Sequence, residues 1–117
     1  MAGMFQHCEN IKEINLQNFY TNDLTKLGCM FNNCYNLSKV TFSNNFSIYK
    51  VMLMPWMFYG CKKLTTIDLS SFEIINLKEM TDMFEGCDIL DKIYVYEYYI
   101  RIFKAWNKNI EEKFCAK

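Results

Sequence analysis

"MFYGCKKLTTIDLSSF", residues 57–72, decides how this 117-residue chain is read, because close copies of it recur along the chain. They are "MFQHCENIKEINLQNF" from Met4, "MFNNCYNLSKVTFSNNF" from Met30 and "MFEGCDILDKIYVYEY" from Met83. Met-Phe pairs therefore begin at 4, 30, 57 and 83, and Cys8, Cys34, Cys61 and Cys87 keep the same spacings of 26, 27 and 26. Five apolar columns run in step with them, among them Ile14, Val40, Ile67 and Ile93. A fixed period of this length marks a repeat architecture, in which each unit buries its apolar side against the next. The extra residue of the 27-residue unit falls near Asn44 and Asn45, where a turn can absorb it.

Periodicity divides each unit in two. Met54, Met57, Phe58, Cys61 and Leu64 follow i, i+3, i+4, i+7 and i+10, the spacing of one helical face, and Pro55 suits a first helical turn. From Leu64 onward, Ile67 and Leu69 alternate with Thr66, Asp68 and Ser70, as a half-buried strand requires. The expected fold class is thus α/β, a short leucine-rich-repeat-like solenoid of about four 26-residue helix–strand repeats over residues 1–96. Tyr99, Phe103, Trp106, Ile110 and Phe114 stand at helical spacings, so residues 97–117 are read as the same domain's C-terminal capping helix. Met1 shares a column with Leu27, Met54 and Met80, so the chain begins inside a repeat helix with no polar cap. That beginning suggests a piece of a longer array or end-to-end self-association through the uncapped N-terminal repeat.

Composition narrows the classes of function. Hydrophobic residues make up 51% of the chain and charged residues 22%, which is too apolar for disorder and enough for a packed core. Thirteen basic residues balance thirteen acidic ones, so no net field draws the chain to nucleic acid or an anionic membrane. Apolar residues are interrupted every few positions, and no stretch reaches the roughly 20 needed for a membrane-spanning helix. "MAGMFQHCENIKEINL" lacks a basic segment followed by an apolar one, so it does not read as an export signal.

The chemistry-bearing residues argue against catalysis. Column cysteines on packed helices would lie about 8 to 10 Å apart, too far for a disulfide, and read as buried free thiols. The 26-residue spacing matches no zinc pattern, and no metal or other cofactor is expected. Cys29 and Cys115 lie outside the column, and Cys115 is the better placed for an intermolecular bond. His7 is the sole histidine; it adjoins Cys8, but neighbours on a helix do not face each other, so no Cys-His pair is expected. Asp68, Glu73, Glu79, Asp82 and Glu85 read as solvated surface, and Gly60 and Gly86 form no phosphate loop. No catalytic residue is assigned.

The pattern Met-Phe-x-Gly-Cys-x-x-Leu-x-x-Ile-Asp-Leu-Ser-x-Phe, clearest at Met57–Phe72 and echoed in Met80–Leu90, resembles the BspA-like leucine-rich repeats of bacterial surface lipoproteins and some protist surface proteins. The likeness covers about residues 1–96. It departs at "QH" and "NN" before Cys8 and Cys34, and at Tyr94, Val95 and Tyr96 in place of Asp-Leu-Ser. The resemblance implies a cell-surface or secreted module used in adhesion or protein binding, with no catalytic residues.

Outward strand positions form the natural contact surface, because they line up in columns over a rigid core. The candidate ligand face is Lys39, Thr41, Thr66, Asp68, Ser70, Lys92, Tyr94 and Tyr96, with Glu13, Asn15, Gln17 and Ser43 in the same columns. A protein ligand suits this polar, mixed-charge face, with Tyr94 and Tyr96 as anchors and a glycan as the alternative. A structural spacer within a larger array is the competing role. The sequons Asn36-Leu37-Ser38 and Asn45-Phe46-Ser47 would matter only in a secreted eukaryotic protein.

Overall fold

A computed structural model describes residues 2–21, 23–43 and 46–117. The column position of Met1, the extra residue at Asn44 and Asn45, and the Asn45 sequon lie outside these residues.

The strand half of each unit forms where alternation predicts it. Four short strands, β1 (Glu13–Asn15), β2 (Lys39–Thr41), β3 (Thr66–Leu69) and β4 (Lys92–Val95), bury Ile14, Val40, Ile67 and Ile93 and turn their neighbours outward. Pairing is parallel, with Glu13 beside Lys39 and Thr66 beside Lys92, so paired strands are offset by one 26-residue period. The strand row is not continuous. It divides into one sheet of β1 and β2 and another beginning at β3, and the division falls where the repeat is 27 residues long. Lys26, Leu53 and Glu79 form a second, single-residue parallel row elsewhere in the stack.

The helix–strand solenoid is not what forms, because among the described residues the Met-Phe halves contain no helix. Each is a pair of consecutive turns. In the third unit Tyr59 N–H donates to Trp56 C=O at 3.2 Å and Cys61 N–H to Phe58 C=O at 3.1 Å. Trp56 (φ 54°) and Gly60 (φ 75°) are left-handed, as are Gly3 and His7, Cys29 and Asn33, and Asp82 and Gly86 at the matching places. A left-handed residue every four positions cannot propagate an α-helix, and it aims the intervening N–H groups out of the segment. Those groups bond the next unit instead of residue i−4. Phe5 N–H donates to Met30 C=O, Phe31 N–H to Met57 C=O and Phe58 N–H to Met83 C=O, each at 2.9 Å. Two turns place positions i, i+3, i+4 and i+7 on one face as a helix does, which is why the apolar spacing misleads: Met54, Met57, Phe58 and Cys61 are all fully buried.

Close stacking of turns sets the core. Phe5, Phe31, Phe58 and Phe84 form a ladder with ring centroids 5.6, 5.2 and 5.5 Å apart and planes within 12° of parallel. Beneath the strand row Phe42 packs on Phe46 (4.8 Å) and on Phe72 (4.9 Å).

The single long capping helix is also replaced. Only Ile100–Trp106 is α-helical (α1), flanked by 3-10 turns at Glu97–Tyr99 and Lys108–Lys113. Asn107 ends α1, its buried carboxamide donating to Phe103 C=O at 2.8 Å. The chain then returns as β5 (Phe114–Ala116), parallel to β4, and Phe114 closes the end of the phenylalanine ladder against Phe84. The described residues fill 33 × 31 × 22 Å, and the domain is a compact stack of turns and short strands.

Candidate functional site

The outward residues of β2, β3 and β4 meet at the division of the strand row. Leu16 N–H donates to Thr41 C=O at 2.9 Å, which turns Thr41 toward β1 and, by strand alternation, turns the Val40 backbone toward β3. Thr65 C=O accepts from Asp91 N–H at 2.8 Å, so Thr65 faces β4 while Thr66 and Asp68 face back toward β2. The two sheet edges that confront each other are not laddered together. A groove of about 600 Å³ lies over them, and Lys39, Thr41, Thr66, Asp68 and Tyr94 of the expected face line it, together with Glu13 and Phe42.

The remaining expected residues are placed apart. Ser70 and Tyr96 border a neighbouring hollow with Ser71 and Glu73, and Lys92 is exposed on β4 but belongs to neither depression. Tyr96 joins a tyrosine cluster, with ring centroids 6.4 Å from Tyr98 and 6.0 Å from Tyr99.

Asp68 is the best-organised group of the groove. Its Oδ1 accepts the Ser70 N–H at 2.9 Å, a local turn repeated at Asn15, whose Oδ1 accepts the Gln17 N–H at the same distance. Its Oδ2 is paired with the Lys117 ammonium, which also lies 5.6 Å from the Tyr94 ring centroid. Partial burial opposes ionisation of Asp68, but the bonds from Lys117 and Ser70 outweigh it and hold the carboxyl below its ordinary range. Lys117 is a charged groove residue that sequence reasoning missed, as it missed the polar Ser38 and Thr65. The position of Lys117 depends on β5, and 49 residues separate it from Asp68.

The cysteines serve the stack. Cys34, Cys61 and Cys87 donate their thiols to the carbonyls of Phe5, Phe31 and Phe58 at 3.0, 3.2 and 3.0 Å. The column is therefore spaced by stacked turns, not by the wider separation of packed helices, and all six cysteines are free. Burial raises the Cys34 thiol to about 11 and the Cys87 thiol to about 12, and pushes Cys61 up as well, so none of these three is an activated nucleophile. In a disulfide-exchange assay with Ellman's reagent at pH 8, Cys8, Cys29 and Cys115 should react in the folded chain. Cys34, Cys61 and Cys87 should react only as fast as the chain unfolds; rapid labelling of all six would contradict the buried column. His7 lies exposed at a left-handed turn position and donates its backbone N–H to Asn32 C=O. Among the described residues no group of three His, Cys, Asp or Glu side chains could hold a metal ion, and no helix is long and apolar enough to cross a membrane.

In-register units, parallel strands and a ladder of turns define the class as a stacked-repeat protein. The chain belongs to the family described as "Mycoplasma protein of unknown function, DUF285", whose profile matches residues 1–112. No curated protein and no solved structure matches it.

Proposed function

We propose that the chain is a non-enzymatic protein-interaction module whose contact surface is the groove between β2 and β3. One observation carries the reading: Lys39, Thr41, Thr66, Asp68 and Tyr94, from three strands, converge on a single groove supported by a buried core. Polar, charged and aromatic groups on a rigid floor suit recognition of another protein, with Tyr94 supplying area at low entropic cost and Asp68 and Lys39 supplying charge selectivity. The resemblance to BspA-like surface repeats supports an adhesive role at the cell surface or in secreted form. The buried column thiols, raised by desolvation, are poor nucleophiles, in keeping with a binding role.

Site-specific photocrosslinking tests the proposal. Benzoylphenylalanine at Thr66 in the groove should capture one discrete partner in the source cell, whereas the same group at Tyr59, on the turn side, should not. Adding Lys39→Glu, Asp68→Lys and Tyr94→Ala should abolish the adduct while leaving the amide spectrum of the fold intact. An adduct unchanged by the triple substitution, or equal from both faces, would refute the groove as the contact surface.

A further inference from the structure

The ladder of turns ends in donors that no backbone carbonyl of the described residues accepts. In the first three units three N–H groups at alternate positions bond the next unit: those of Gly3, Phe5 and His7; of Cys29, Phe31 and Asn33; and of Trp56, Phe58 and Gly60. Their distances run from 2.6 to 3.0 Å. The equivalent groups of the fourth unit are Asp82, Phe84 and Gly86, and among the described residues their N–H groups have no acceptor. The cause is the length of the final pass. Phe114 follows its strand partner Ile93 by 21 residues, whereas Ile93 follows Ile67 by 26, so the chain regains the sheet without building a fifth pair of turns. A cavity of about 360 Å³ remains where that rung would sit, between Asp82–Asp88 and residues 105–110.

Nearly every buried backbone donor in a native protein finds a partner, and of the three donors the one on a buried residue is Phe84, only 4% exposed, while Asp82 is exposed and Gly86 half-buried. The ladder itself defines the chemistry that fits these donors, because each completed rung is made by backbone carbonyls of an adjacent segment. The cavity is also of the size range that binds ligands. Asp82, Glu85 and Asp88 line it against the single lysine Lys108, so the site disfavours an anion and favours neutral carbonyls accompanied by positive charge.

We propose that this cavity binds a short extended segment of a partner protein bearing basic side chains. Its alternate carbonyls accept from Asp82, Phe84 and Gly86, completing the ladder in the manner of strand addition. Its lysine or arginine side chains meet Asp82, Glu85 and Asp88.

The test is a titration of the ¹⁵N-labelled chain with acetyl-Lys-Val-Lys-Val-Lys-amide, followed by amide resonances. Binding should move the Asp82, Phe84 and Gly86 amides downfield while leaving those of Asp68 and Tyr94 in place. Glu85→Lys with Asp88→Lys should weaken the peptide at least tenfold, and Ala105→Trp, which fills the cavity from an exposed position, should abolish the shifts; the same spectra report whether each variant is folded. Spermine, which has the charge without carbonyls, should leave the three amides unmoved. The proposal is overturned if the peptide moves none of the three amides at millimolar concentration, or if spermine reproduces their shifts.

Discussion

Replacing Phe58 by alanine is expected to lower the unfolding free energy by about 3 to 5 kcal/mol, the range for emptying a large aromatic site in a core. Phe58 is fully buried and stacks on Phe31 at 5.2 Å and on Phe84 at 5.5 Å, so truncation breaks the ladder in its middle and leaves a cavity whose walls are pinned by inter-unit hydrogen bonds. With total stabilities of small proteins near 5 to 15 kcal/mol, the loss is a large share of the whole. Phe5→Ala is the matched control. Phe5 is half-buried and has one neighbouring rung, so its loss should cost about 1 to 2 kcal/mol. Urea denaturation followed by circular dichroism measures both. Equal losses at the two positions would mean that the phenylalanines do not act as a stacked core.

Gly60→Val is expected to cost about 2 to 4 kcal/mol, through backbone strain and steric overlap together. Gly60 holds φ at 75°, a conformation that a β-branched residue resists, and a Cβ there would run into the Asn33 carboxamide oxygen of the preceding unit. Its N–H must nevertheless stay aimed at Glu85 C=O, 2.8 Å away, to hold the third and fourth units together. A valine that unwinds the turn to relieve the strain therefore also loosens a rung. Were residues 54–61 a helix, Gly60→Ala would stabilise it by about 1 kcal/mol. The turn ladder predicts that alanine destabilises as well, so the sign of this milder substitution separates the two structures.

Much of this architecture was legible in the residues and one half of it was not. The period, the strand positions and their register follow from columns such as Ile14, Val40, Ile67 and Ile93, because side-chain alternation in a strand has only one solution once a face is buried. The outward columns followed by the same logic, and five of the eight proposed face residues share a groove. The Met-Phe segments misled because burial spacing reports which side chains share a face and says nothing about where the N–H groups go. The available signal was Gly60 and Gly86 before their cysteines, with Gly3 four residues before His7: glycine at these turn positions points to left-handed backbone more readily than to helix. The strand β5 and its Lys117 contact were beyond reach, since Phe114 also fits a helical spacing with Ile110 and only the shortened last pass brings it beside Ile93.

The central claim is that successive units are joined by backbone hydrogen bonds between turns, and scalar coupling across hydrogen bonds reads it directly. In a ¹³C,¹⁵N-labelled sample, long-range HNCO spectra should correlate the Phe31 amide with the Met57 carbonyl and the Phe58 amide with the Met83 carbonyl, both 2.9 Å donor–acceptor pairs. A correlation of Phe58 with the Met54 carbonyl instead would place a helix there and contradict the account.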